Sequence, residues 1–181
     1  MNWVPVALLV ARLVTGGLLT LAGFSKVALG PVRQLQVVRA YRLLPETWSR
    51  PVATALPPIE MVIGASVVLG IYSQGASLLA LLVLAVVTGA AGSALVRGIK
   101  APCGCFGNVK TLISWKVVAR NVVLMAALVP VIRIGGGGIS LDTVPSIRSY
   151  VVAAVAAAVV VLATAQLKGA GHTSLREEAG T

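Results

Sequence analysis

Long apolar runs separated by short polar segments dominate the hydropathy pattern of the chain. Five of these runs are long enough to cross a hydrocarbon core of about 30 Å as α-helices. They occupy residues 4–27, 52–72, 77–96, 111–132 and 147–167. The pattern predicts an all-α membrane protein, with a four-helix transmembrane bundle followed by a fifth, C-terminal transmembrane helix.

The polar segment after the first run, residues 30–50, carries apolar residues at helical spacing. Val32, Leu35 and Val38 recur at every third position, and mainly arginine and glutamine side chains fill the positions between them. A short amphipathic helix of this composition lies in the plane of the membrane interface. We therefore expect a short interfacial helix after the first span, ended by Pro45.

Prolines and small residues add detail to the second and third spans. Pro57 and Pro58 interrupt the start of the second run, so its regular helix is expected to begin there. Residues 73–76 are expected to form a tight turn. Residues 89–94 are all Gly, Ala or Ser, which would let a neighbouring helix approach the third span closely.

These boundaries divide the chain into consecutive parts. The predicted parts are a transmembrane core with a cysteine-containing loop, a glycine-rich linker, the fifth transmembrane helix and a polar tail, at residues 1–134, 135–146, 147–168 and 169–181.

Ionisable residues inside apolar runs are costly and usually functional. Arg12 lies within the first run and Lys26 closes it, and a spacing of fourteen residues puts them on similar sides of a helix. Arg12 either extends its side chain to the near interface or lies inside the bundle. Glu60 is the only acidic residue in any apolar run. It either complements the dipole at a helix start or forms an ion pair at a functional site.

The composition agrees with a membrane protein and argues against a nucleic-acid-binding one. Hydrophobic residues make up 57% of the chain and charged residues 11%, whereas a soluble domain has about a quarter charged residues. The lipid bilayer is therefore the expected partner of most of the surface. The net charge of +10 comes mainly from loops and span ends. Because no basic segment is interleaved with aromatic residues that could stack on bases, nucleic-acid binding is not expected.

Both cysteines of the chain lie in one basic loop between the third and fourth runs, as Cys103-Gly104-Cys105. The glycine lets the backbone fold so that the two sulfur atoms meet. A disulfide ring this small departs from relaxed geometry and is easily reduced, which is typical of catalytic or regulatory disulfides. Flanking Arg and Lys residues favour the reactive thiolate. Thiolates also suit Cu(I) or Zn(II), but two are too few for a closed zinc site, and no metal site is predicted.

Several short motifs resemble the MauE family, a redox-associated group of DoxX-like membrane proteins. The resemblance covers roughly residues 5–132. It rests on Ala22-Gly23-Phe24-Ser25-Lys26, Tyr41-Arg42-Leu43-Leu44-Pro45, Leu56-Pro57-Pro58-Ile59-Glu60, Arg97-Gly98, Cys103-Gly104-Cys105-Phe106-Gly107 and Arg120-Asn121. It implies an integral membrane protein that supports disulfide formation or thiol transfer, together with a thioredoxin-like partner. By the same resemblance, Cys103 and Cys105 would be the redox pair, supported by the polar residues Lys26, Glu60 and Arg120.

The order of elements is also similar to that of DsbB and vitamin K epoxide reductase. Those four-helix enzymes have a thiol pair near the start of the fourth helix and a short interfacial helix after the first. This similarity of layout implies that electrons could pass from the thiols to a quinone between the helices.

Charge and family likeness disagree on which membrane face carries the cysteines. Basic residues concentrate in the first and third loops, so the positive-inside rule places both loops in the cytoplasm. Disulfide-forming machinery instead belongs on the oxidising outer side. In either orientation we expect a multi-pass protein of the cell membrane.

The residues leave three functions open. The first is a membrane thiol–disulfide redox protein that works through Cys103 and Cys105. The second is a transporter of a soft metal ion or small molecule that uses the thiols as a relay. The third is a non-catalytic membrane scaffold whose basic loops dock a redox enzyme.

Overall fold

The computed structural model describes residues 3–102 and 112–135. Within these ranges the chain forms five helices, α1 (Val4–Leu29), α2 (Pro31–Ala40), α3 (Glu46–Leu69), α4 (Ser73–Val96) and α5 (Trp115–Ile134). Four of them, α1, α3, α4 and α5, are long and apolar enough to span a membrane. The predicted all-α architecture, with four spans and a short helix after the first, is confirmed. The predicted fifth span, glycine-rich linker and polar tail lie outside the described residues.

Large apolar side chains are exposed on all four spans. Examples from successive spans are Leu21, Ile59, Val86 and Val123. A smaller apolar core lies between the spans and draws on each of them, through Leu19, Val67, Ala76, Ala80, Leu84, Leu124 and Leu128. An apolar outer surface around an apolar core is the arrangement expected of a bundle surrounded by lipid.

The most extensive contact among the described helices is between α1 and α3. A Cβ atom added at Gly64 would lie 2.5 Å from Thr20 Oγ1 and 2.7 Å from Gly16 O. At Gly23 an added Cβ would lie 2.7 Å from Pro57 O. Only glycine fits at these positions, so the two helices form a close seam along these glycines.

The small-residue segment 89–94 packs in the described part of the chain through its alanines, and its two glycines contact no neighbouring helix. A Cβ atom added at Gly89 or Gly92 would have no other atom within 4 Å. The buried positions of this part of α4 are instead Ala91 and Ala94. Small residues permit a close contact, but the rotation of the helix about its axis decides which of them meet a neighbour.

The start of α3 also differs from the prediction. The helix begins at Glu46, and Pro51, Pro57 and Pro58 lie inside it. Pro45 occupies the N-cap of α3 and does not end α2, which stops at Ala40. Proline is tolerated inside a membrane helix when neighbouring groups satisfy the freed carbonyls.

The turn between α3 and α4 lies slightly earlier than predicted. Gly70 adopts the left-handed conformation, with φ +70°, immediately after the last residue of α3. Because α4 already begins at Ser73, the predicted turn at residues 73–76 is helical.

Candidate functional site

Lys26 and Glu60 form a buried ion pair between α1 and α3. Lys26 Nζ lies 2.5 Å from both carboxylate oxygens of Glu60, and the two residues are 5% and 2% exposed. Glu60 lies well inside α3, so its interpretation as a helix-start carboxylate is wrong and the ion-pair interpretation holds. The glycine seam explains the short distance, because Gly23 and Gly64 bring the two backbones together next to the pair.

A second polar group lies on α4 and α5. Asn121 Nδ2 donates a hydrogen bond to Thr88 Oγ1 at 3.0 Å, and both residues are buried. Arg120 Nη2 donates to Asn121 Oδ1 at 3.2 Å. The amide of Asn121 therefore links Arg120 to the interior of the bundle.

These two polar groups line one small cavity, which we call the inner cavity. Its volume is about 30 Å³, enough for a water molecule. Its polar lining consists of Thr15, Lys26, Glu60, Arg120 and Asn121. The structure thus brings together all three supporting residues predicted from the sequence, Lys26, Glu60 and Arg120, from three different helices.

Arg12 lies inside the bundle and does not extend to the near interface. It is fully buried, and its Nε and Nη2 atoms donate to Val67 O at 3.2 Å and Val68 O at 3.4 Å. These carbonyls belong to the last turn of α3, where backbone acceptors lack the N–H donor that a continuing helix would supply four residues later. Arg12 therefore completes the C-terminal end of a neighbouring helix.

The short helix α2 is rotated differently from the prediction. Its buried residues are Gln34 and Val37, whereas Val32, assigned to the predicted apolar stripe, is 45% exposed. Gln34 and Tyr41 line a second cavity, the outer cavity, of about 210 Å³. Lys26 also lines it, and the rest of its lining is apolar and comes from α2, α3, α4 and the segment between α2 and α3.

The described residues on either side of the cysteine loop are held together. Ile113 N donates to Ala101 O at 3.0 Å, and Pro102 and Leu112 form an isolated antiparallel bridge. Ala101 and Ile113 are buried in a small apolar cluster with Ala94, against which Tyr41 also packs. We call these four paired residues, 101, 102, 112 and 113, the loop base.

The loop base adjoins the segment that follows α2. Tyr41 Oη lies 3.5 Å from Pro102 O, which is a weak contact. Arg97 donates to Tyr41 O at 2.7 Å and to Arg42 O at 3.2 Å. Arg97 thus joins the end of α4 to the segment after α2, a role in addition to its predicted place beside the thiols.

Cys103 and Cys105 lie outside the described residues, and Cys103 follows Pro102 directly in the chain. The sequence interpretation missed Gln34 and Thr88 as buried polar residues. Gln34 was counted with the polar side of α2, and Thr88 had no charge to single it out within its apolar run. Whether each of these side chains is buried depends on the rotation of its helix relative to its neighbours.

Comparison with known proteins identifies a family and several relatives. The sequence model of the family described as methylamine utilisation protein MauE matches residues 4–134. Methylamine utilization protein MauE of Paracoccus denitrificans is 36% identical over 109 residues, which are 57% of this chain and 59% of that protein. The protein of the same name from Paracoccus versutus is 39% identical over 108 residues, 55% of this chain and 58% of that protein.

The chain thus spans just under six tenths of the length of these two relatives. No solved structure gives a significant match. Since the family model matches well over half of the residues and the described part forms a four-span bundle, the chain is a membrane protein that belongs to the MauE family.

Proposed function

We propose that this protein is an integral membrane thiol–disulfide redox protein that works through Cys103 and Cys105. A disulfide between these residues would oxidise the dithiol of a thioredoxin-like partner. The partner's two thiols become a disulfide, and the Cys103–Cys105 disulfide becomes two thiols. Two electrons and two protons move from the partner to this chain.

The observation that carries the proposal is the position of the loop base. Pro102, the residue before Cys103, lies beside Tyr41, which lines the outer cavity together with Lys26. The chain therefore leaves and re-enters the bundle at the end that contains the Lys26–Glu60 pair. A fixed attachment point next to buried polar residues is what a reactive loop supported by its scaffold requires.

Cations at this end support the proposal further. Lys100 is exposed one residue before the loop base, and Lys116 lies in the first turn of α5. Positive charge and a helix N-terminus both stabilise a thiolate, which is the species that attacks a disulfide.

The two relatives are named for methylamine utilisation. Proteins of methylamine utilisation are therefore the first candidates for the client protein.

Single Cys103→Ser and Cys105→Ser variants test the proposal in cells. Each variant retains one thiol, which should attack the disulfide of the oxidised partner and release one of its thiols, leaving a mixed disulfide that is seen as a larger species and that reductant removes. The double variant contains no cysteine and should show no such species. If both single variants fail to form a mixed disulfide, and the double variant retains full client oxidation, the redox proposal is wrong and the scaffold alternative is favoured.

A further inference from the structure

The lining of the outer cavity has a buried polar part and an exposed apolar part. Lys26 and Gln34, which are 5% and 3% exposed, belong to the polar part. Leu43, Leu44 and Val86 are 44%, 42% and 70% exposed and form part of the rim. Because exposed apolar side chains of a membrane bundle face lipid, a molecule dissolved in the bilayer can enter from that side.

Gln34 has an unused hydrogen-bonding atom in the polar part of this lining. Its Oε1 atom is buried and has no hydrogen-bond partner among the described residues. A buried polar atom without a partner is unfavourable and in native proteins calls for an explanation. A ligand that places an O–H group in the cavity would supply the missing donor.

Lys26 and Gln34 together define the chemistry of the ligand. The Lys26 ammonium can only donate, whereas the amide of Gln34 both donates and accepts. The ligand therefore carries oxygen atoms at its polar end, which accept from Lys26 and can donate to Gln34. The volume of about 210 Å³ is below the roughly 300–1,000 Å³ of cavities for drug-sized molecules. The cavity thus encloses one ring system, and any longer tail remains in the lipid.

The outer cavity adjoins the loop base, where the segment that contains the cysteines begins. Tyr41 lines the cavity, and its hydroxyl group contacts the carbonyl of Pro102, the residue before Cys103. Thiols that become a disulfide release two electrons and two protons, which an acceptor must take up together. Quinones are lipid-soluble acceptors of both, with oxygen atoms that only accept hydrogen bonds when oxidised and also donate them when reduced.

We propose that the outer cavity binds the ring of a membrane quinone, which reoxidises Cys103 and Cys105. This inference rests on the redox function proposed above. In the step, two S–H bonds break and one S–S bond forms, while the two quinone carbonyl oxygens each gain a proton and become hydroxyl groups. The two electrons pass from the sulfur atoms to the ring. Gln34 donates to the quinone and accepts from the quinol, so it serves as a partner in both states.

Binding of decylubiquinone to the full chain in quinone-free phosphatidylcholine nanodiscs tests the site. Gln34→Leu should weaken binding about tenfold, the loss expected for one hydrogen bond to a buried polar group. Gln36→Leu is the matched control, because Gln36 lies on the same helix but is exposed. Since Gln34 Oε1 has no described protein partner, Gln34→Leu should fold; Ala90→Phe, which fills the cavity from α4, is a second variant that should block binding.

Dodecanol distinguishes a quinone site from a site for any hydroxyl-bearing lipid. We expect saturable binding of decylubiquinone that dodecanol does not displace. Three results would each overturn the proposal: displacement of bound decylubiquinone by dodecanol, binding of decylubiquinone that does not saturate, or equal effects of Gln34→Leu and Gln36→Leu on that binding.

Electron transfer is tested with reduced protein, by following the ultraviolet absorbance of decylubiquinone. One quinol should form per thiol pair, more slowly in Gln34→Leu and not at all in the Cys103→Ser/Cys105→Ser double variant, which should still bind the quinone. If a thioredoxin-like partner exchanges with the thiols but decylubiquinone does not oxidise them, this inference fails and the proposed function stands. If the thiols react with neither, the proposed function fails as well.

Discussion

Arg12 and Lys26 lie on the same face of α1 and are almost equally buried, yet they bind different kinds of partner. Arg12 donates to backbone carbonyls at the end of α3. Lys26 binds the side chain of Glu60 and lines both cavities. Burial alone therefore does not identify a functional cation in a membrane bundle.

The two cations differ in the kind of partner they bind and in whether they lie beside a cavity. The Arg12 partners described above are main-chain carbonyls of α3, and any other residue at positions 67 and 68 would present the same carbonyls. The partner of Lys26 is an ionised side chain beside cavities that can hold water or a ligand. We therefore assign Arg12 to stability and Lys26 to the candidate site.

The largest effect is expected from Glu60→Leu. This variant leaves the Lys26 ammonium buried without its carboxylate, which should lower the free energy of unfolding by about 3–5 kcal/mol. Adding Lys26→Met removes the unpaired charge and should restore most of the loss. Unfolding in mixed detergent micelles, followed by circular dichroism, measures both.

Glu46→Leu is the control for that comparison. It removes an exposed ion pair with Arg39, which is worth at most about 1 kcal/mol. A loss for Glu60→Leu no greater than that for Glu46→Leu would contradict the importance of the buried pair.

A smaller effect is expected from Gly64→Ala, which tests the seam between α1 and α3. The added methyl group would meet backbone atoms of Thr20 and Gly16, which cannot move aside as a flexible side chain can. Overpacking of this kind costs about 1–3 kcal/mol, and backbone contacts put it near the upper end. Gly89→Ala, in open space inside α4, should cause no loss and should stabilise the helix by up to about 1 kcal/mol in the same unfolding assay. Equal melting of the two variants would show that the seam tolerates extra volume.

Arg12→Leu should have the smallest effect of the three. It leaves Val68 O without its described donor, whereas Val67 O retains the N–H of Gly70 at 3.3 Å. A buried acceptor without a partner costs about 1–3 kcal/mol, and the partial burial of Val68 O together with the remaining bond to Val67 O favours the lower end. The rate at which Cys103 and Cys105 react with a maleimide, per folded molecule, should not change. A changed rate would mean that Arg12 also acts on the candidate site.

The sequence predicted the four described spans well because their signal is the length of each apolar run, which the bilayer sets directly. It also predicted that Lys26, Glu60 and Arg120 lie in one half of the bundle, because span topology determines the depth of each residue. The helix limits around Pro45, Pro57 and Pro58 were predicted less well. Local rules treat proline as an end signal, whereas here Pro57 and Pro58 are buried inside α3.

Rotation about helix axes was the part that the sequence could not supply. For α2, apolar residues at every third position predicted a buried face that includes Val32. The buried residues are instead Gln34 and Val37. The packing of α2 against α3 determines which side of α2 is buried, and the pattern of residues within a helix of ten residues does not contain that information. The same reason explains why Thr88 and Gln34 were missed while the charged residues were found.

The position of Lys26 between the inner and the outer cavity has a thermodynamic consequence. An occupant of the outer cavity would displace water from one side of the ammonium group, and a lower local dielectric strengthens its attraction to Glu60. By linkage, a stronger ion pair must then favour the occupied state by the same free energy. Occupancy of the outer cavity and the stability of the α1–α3 contact would therefore be thermodynamically coupled through the Lys26–Glu60 ion pair.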